Sequence, residues 1–135
     1  MEKQFVTYEI ALALKELGFD EECLAYYAKP TTKEDIELFF TSGVYGWVKQ
    51  NNTILQKCTT PLWQQAIDWF REKYKLHINI LGDGFNGEFK GYYYSITEEG
   101  WINWYESIDS GKWYDDYKEC QKQAILKAIE LCKNN

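Results

Sequence analysis

Between Leu76 and Thr97, two alternating segments flank a short run containing three glycines, and no other stretch restricts the fold as much. In "KLHINIL", Leu76, Ile78 and Ile80 point one way, and His77 and Asn79 the other. In "EFKGYYYSIT", Tyr92, Tyr94 and Ile96 share one face, with Tyr93 and Ser95 opposite. Alternation with a period of two marks a half-buried strand. The second strand follows the glycine run directly, with no room for the crossover that parallel pairing needs. Leu76–Leu81 and Phe89–Thr97 are therefore predicted to pair antiparallel. Asp83-Gly84 and Asn86-Gly87 are the dipeptides that best accept positive φ in a tight connection. Phe85, apolar at the predicted tip, either folds back on the sheet or extends an aromatic surface.

The same glycines, Gly82, Gly84 and Gly87, spell G-x-G-x-x-G. A dinucleotide fingerprint needs a helix after the glycines, with its N-terminus facing the pyrophosphate. Glu88–Thr97 is aromatic and alternating instead. The kinase version needs a lysine strand and two further segments that are missing, and a phosphate loop needs G-K-[ST] where Glu88-Phe89 stands. The motif is a turn. Asp83, Asn86 and Glu88 are an incomplete calcium series.

Three helices are expected. The first runs from Tyr8 to Leu17, capped by Thr7 and ended by Gly18, with Ile10, Ala13, Leu14 and Leu17 on one face. The second follows Thr60 as cap and Pro61 as first helical residue. Its Leu62, Trp63, Ala66, Ile67, Trp69, Phe70 and Tyr74 lie in one arc, with Gln64, Gln65, Asp68, Arg71 and Glu72 opposite. The third spans Asp115 to Cys132, with Tyr117, Cys120, Ala124, Ala128 and Leu131 as its stripe and Ile125 and Cys132 beside it. Asp115-Asp116 suits its positive N-terminus.

Strands are expected over Leu24–Ala28 and Glu37–Thr41, although Thr32–Phe40 is also compatible with the start of a helix. Ser42–Thr60 reads as irregular, with a short strand around Tyr45–Lys49. A third strand of the meander covers Trp101–Glu106, followed by a turn at Asp109-Ser110-Gly111. The class is α+β: a small antiparallel or mixed sheet, hairpin or meander, packed against two to three amphipathic helices in a single domain, residues 1–135.

Charge and composition exclude more than they select. Asp and Glu outnumber Lys and Arg, 21 to 15, for a net charge of −6. A negative field of this kind disfavours phosphate backbones, so nucleic acid is not an expected partner. No apolar run reaches membrane-span length, and the charged, periodic start is not a signal peptide, so a cytoplasmic protein is expected. Cys23, Cys58, Cys120 and Cys132 contain no C-x-x-C and read as reduced, buried thiols. Cys120 and Cys132 would stand about 18 Å apart along one helix. His77 is the only histidine and lies on the outward face of its strand. The acid groups Asp20-Glu21-Glu22, Glu98-Glu99 and Asp115-Asp116 are adjacent in sequence, which does not supply the facing pair of a glycosidase. No catalytic residue, metal or cofactor is assigned.

Aromatic residues make up 18% of the chain, more than one sheet face can bury. Trp and Tyr dominate binding hot spots. The candidate binding patch is Trp101, Trp104, Tyr105 and Trp113.

The segments "LKELGFDEECLAYY", "TPLWQQAIDWFREKYKL", "GYYYSI" and "YDDYKECQKQAILKAIEL" together resemble a family of small uncharacterised proteins of bacteriophages, prophages and bacterial genomes. They cover about two-fifths of the chain, and the "PLWQQAIDWFREK" helix is the most specific part. The resemblance implies a cytoplasmic accessory gene product and carries no catalytic residue with it. The expected role is non-catalytic protein binding, with inhibition of a host or defence system as one version. An enzyme acting on a small substrate and a self-associating structural protein are the alternatives.

Overall fold

The structure is a computed structural model that describes residues 2–29, 35–40, 58–100 and 104–134. Two compact units divide the chain, Met1–Gln65 and Ala66–Asn135. Three α-helices and two three-stranded antiparallel sheets are described, so the protein is α+β.

The first unit holds α1 (Tyr8–Glu16), β1 (Ala25–Ala28), β2 (Glu37–Phe40) and β3 (Cys58–Thr60). Thr7 caps α1, its hydroxyl accepting from the Ile10 amide at 3.4 Å. Gly18 stands at φ +99°, and the helix closes with Phe19 N–H donating to Leu14 O (2.9 Å) and Gly18 N–H to Lys15 O (3.0 Å). That bond pair is the Schellman termination, which requires a left-handed residue at this point. It turns Phe19 inward, where it is buried.

The sheet order is β2-β1-β3. Tyr26 stacks on the opposing Phe39 at 5.5 Å, a cross-strand pair of the kind that stabilises short sheets. The chain's start joins this sheet's surroundings through Val6. Its carbonyl accepts from Thr60 Oγ1 and Tyr27 OH, both at 2.9 Å, and its amide donates to Pro61 O at 3.0 Å.

Three expectations are corrected here. Cys58-Thr59-Thr60 is a buried strand, not irregular chain. Thr60 does not cap the second helix, because its hydroxyl is committed to Val6. Pro61 also stands outside that helix, α2, which begins at Trp63 and ends at Tyr74. The amide of Leu62 instead donates to the Gln65 side chain at 3.3 Å. The strand expected around Tyr45–Lys49 lies outside the described residues.

The second unit contains most of α2, then β4 (Leu76–Phe85), β5 (Glu88–Glu98), β6 (Trp104–Glu106) and α3 (Tyr117–Lys133). Along α2 the predicted arc is inside: Ala66, Ile67, Trp69 and Phe70 are buried, whereas Arg71 and Glu72 are exposed. β4 and β5 pair antiparallel, as predicted, with Ile78 opposite Ile96 and Ile80 opposite Tyr94.

Only one of the two turn dipeptides turns the chain. Asn86 and Gly87 stand at φ +53° and +78° between the paired residues Phe85 and Glu88. Two consecutive positive φ values make the type I′ connection, whose twist matches that of paired strands. Asp83 and Gly84 lie within β4, at a bulge where the partner jumps from Gly91 to Phe89. The predicted six-residue loop is therefore a two-residue turn at the end of a longer hairpin.

The far edge of β5 is satisfied in three steps. β6 pairs with Ser95–Thr97, Ser107 Oγ accepts from the Tyr94 amide at 3.1 Å, and Tyr114 exchanges two backbone bonds with Tyr92 at 2.7 and 2.8 Å. The predicted turn at Asp109–Gly111 is a 3-10 turn, Ser107–Ser110, closed by Gly111 at φ +75°. Asp116 caps α3 by accepting from the Glu119 amide at 3.3 Å.

The stripe of α3 is rotated from expectation. Cys120, Ala124, Ile125, Ala128, Ile129 and Cys132 are buried, but Tyr117 is exposed and Leu131 only half-buried. Helical side chains lean towards the N-terminus. Tyr117, in the first turn, therefore overhangs the end of the packed interface.

Candidate functional site

The most exposed large apolar side chains of the second unit belong to the end of the hairpin and to the segment that begins α3. Phe85 is 66% exposed, Phe89 61%, Trp113 45% and Tyr117 42%. Local sequence explains how they come to be there. Phe85 and Phe89 stand beside the I′ turn and the bulge at the end of the hairpin, and Tyr117 begins α3.

Trp113 is held by a clasp built from three distant residues. Gly91 is buried on β5, opposite Asp83 on β4. A Cβ on Gly91 would lie 3.3 Å from Trp113 Cβ and 3.0 Å from Tyr114 O. With no side chain at Gly91, the segment carrying Trp113 approaches β5 closely. The indole Nε1–H then donates to Asp83 Oδ2 at 2.8 Å. The Asp83 of the glycine motif thus binds a tryptophan thirty positions on, and a strand rather than a helix follows Gly87.

Phe89, Tyr92 and Tyr117 form a chain of crossed rings. Phe89 and Tyr92 are 5.0 Å apart at 68°, and Tyr92 and Tyr117 are 5.5 Å apart at 88°. Phe85 extends the surface instead of folding back, with the Lys90 ammonium 5.4 Å from its ring centre.

The four residues singled out from the sequence have different fates. Trp101 lies outside the described residues, and only the backbone of Trp104 is described, in β6. Tyr105 is half-buried and stacks on Tyr94 at 5.9 Å, with the Lys127 ammonium 4.5 Å above its ring. Tyr105 is in register with Ile96 and Tyr114 with Tyr92, four residues away along β5. That separation is about 13 Å, so Tyr105 and Trp113 stand well apart on the same edge. Phe89 and Tyr117 are not in the patch expected from the sequence, which places Tyr117 in the buried stripe of the third helix. The usable signals were the charged neighbours Glu88 and Lys90 around Phe89, and the acids before Tyr117, both marks of exposed chain.

Burial pushes the Cys23 thiol up to about 12 and those of Cys120 and Cys132 up to about 11. Burial also raises Tyr94, with Tyr105 and Tyr114 adding to it, and Tyr114, with Cys120 and Tyr105 adding to it. All four cysteines are buried, and none forms a disulfide. His77 is half-buried opposite Thr97. Among the described residues, no three His, Cys, Asp or Glu groups cluster as metal ligands would. Among the same residues, no helix is long and apolar enough to cross a membrane.

These thiols predict a pH dependence. An unfolded thiol ionises near the usual 9.0, whereas the folded Cys23 holds its proton to about 12. Between those values the fold binds a proton that the unfolded chain has released. The contribution is therefore fully present below pH 9 and is lost as pH rises towards 12. Denaturant midpoints should be flat from pH 7 to 8.5 and fall steadily above 9. In native protein at pH 8, the thiols should react with an aromatic disulfide reagent far more slowly than after unfolding. Rapid labelling of the native thiols would contradict their burial.

Compared with protein-family models, curated protein sequences and solved structures, the chain has no significant match.

Proposed function

We propose that this chain is a non-catalytic protein-binding factor, an accessory product of phage or prophage type acting in the bacterial or infected-cell cytoplasm. The observation that carries the reading is the exposure of the large aromatic side chains Phe85, Phe89, Trp113 and Tyr117, two of which, Phe89 and Tyr117, meet across Tyr92. Interface centres are enriched in aromatic residues, and a few such anchors supply most of the binding energy. The role best matching the resemblance and the acidic balance is occupation of a host protein's basic site.

The test is quantitative capture. Tagged wild-type protein and a Phe85→Ser/Phe89→Ser double variant are compared as baits in the cognate bacterial lysate, with mass-spectrometric quantitation. Any partner of this surface should be recovered about thirtyfold less by the variant, the loss expected for one hot-spot residue. Both side chains are solvent-exposed, so thermal stability should change little. Equal recovery by a folded double variant would remove this surface from consideration.

A further inference from the structure

We infer that the open edge of β4 pairs antiparallel with β4 of a second copy of this chain, joining two three-stranded sheets into one continuous sheet. This association goes beyond the capture reading above and uses backbone groups instead of aromatic side chains.

The open edge follows from where the hydrogen bonds go. The sheet order is β4-β5-β6, so among the described residues no strand pairs with the other side of β4. Tyr92 spends its amide and carbonyl on Tyr114, and the Tyr94 amide donates to Ser107 Oγ. Both residues thus turn their backbone groups away from β4. Their partners Gly82 and Ile80 therefore stand in non-hydrogen-bonded pairs and aim their own N–H and C=O outwards. The alternation extends to Ile78 and Gly84, because the extra residue of the bulge, Lys90, belongs to β5 and leaves β4 continuous. Asn79, Leu81, Gly82 and Gly84 are exposed, Leu81 to 40%. Soluble proteins guard such an edge with lysine, with proline or by keeping the strand very short. β4 is ten residues long and contains neither residue.

The pattern of β4 selects its own copy as the occupant. A two-fold axis at Leu81 sets Ile80 against Gly82 of the second copy and Ile78 against Gly84 of the second copy. Each outward N–H then meets an outward C=O. Branched side chains oppose glycines, so none oppose each other. On the other face Leu81 meets Leu81 of the second copy, which covers an exposed apolar side chain. Asp83 is the one acid in β4. It meets Asn79 of the second copy and not another carboxylate, which would repel it. One strand pair is smaller than a standard interface, and the net charge of −6 on each copy opposes it. The dimer is therefore weak, and salt tightens it by screening that repulsion.

Sedimentation equilibrium of the full chain should show a reversible dimer with Kd on the order of 10–100 µM, tighter at about 300 mM salt than at about 20 mM. Gly82→Pro removes an outward N–H and no bond to β5, a change that edge strands tolerate. Symmetry doubles the loss, so the dimer should weaken at least about tenfold. Crosslinking reads the register. Opposed non-hydrogen-bonded residues have Cα atoms about 4.5 Å apart, within disulfide range. Leu81→Cys should join two copies in oxidised glutathione. Asn79→Cys should not, because it lies about 13 Å from the same position of the second copy. The native cysteines are buried and supply the background. Equal crosslinking of folded Leu81→Cys and Asn79→Cys, or a dimer unmoved by folded Gly82→Pro, would overturn the pairing. So would a monomer up to about 500 µM, which would leave the edge to an extended segment of another protein.

Discussion

Phe70→Ala is expected to lower the free energy of unfolding by about 3–5 kcal/mol, the range for removing a buried aromatic ring. Phe70 is fully buried on the inner face of α2. Its ring is 5.1 Å from that of Trp69 and 6.2 Å from that of Tyr74. Truncation removes the transfer free energy of the ring and leaves a void. Neither neighbour can fill it cheaply, since both are anchored on the same helix. Urea titration, with the slope checked for constancy, measures the effect. Arg71→Ala on the exposed side is the control and should stay within about 0.5 kcal/mol. An unmoved midpoint in the Phe70 variant would falsify this placement of the helix.

Gly91→Ala should cost about 2–4 kcal/mol, an unusual penalty for one methyl group. Two physical terms add. The residue stands at φ +142°, a conformation that side chains rarely adopt, and the new Cβ would meet Tyr114 O at 3.0 Å and Trp113 Cβ at 3.3 Å. Tyr114 cannot retreat without breaking its two bonds to Tyr92, at 2.7 and 2.8 Å. Trp113 cannot retreat without loosening its 2.8 Å bond to Asp83. Gly87→Ala separates the terms, because Gly87 is at φ +78° with nothing within 4 Å of a built Cβ. It should cost only about 1–2 kcal/mol. Amide exchange should also quicken at Tyr92 and Tyr114 in the Gly91 variant alone. Equal midpoints for the two alanine variants would show that the close approach at Gly91 contributes nothing.

The expectations that held were those with short-range physical causes. Thr7, Gly18 and Phe19 specify the ends and the inward turn of α1 through bonds within one helical turn. Asn86-Gly87 specifies a turn because both residues accept positive φ. The inner arc of α2 follows from its 3.6-residue period. The expectations that changed depended on a distant partner. Thr60 has the chemistry of a cap, and the Val6 carbonyl fifty-four residues away takes its hydroxyl instead. Asp83-Gly84 looks like a turn, and pairing across the bulge keeps it in the ladder. Tyr117 has the spacing of a core residue, but the interface it would join ends before it.

The candidate surface divides the same way. An aromatic excess without a catalytic constellation is legible in the residue list, as is the acidic balance. Which rings reach solvent is not legible there. Exposure depends on where α3 stops covering β5, and ring crossing angles depend on register between elements remote in sequence. The sequence by itself determined the α+β class, the hairpin, the helices and the inner face of α2, because caps, turns and periodicity act over a few residues. Only the tertiary structure decided that Gly91, Asp83 and Trp113 form one clasp, and that Phe89 and Tyr117 meet across Tyr92. Those relations join separate strands and a helix, and no local preference of the chain encodes such distances.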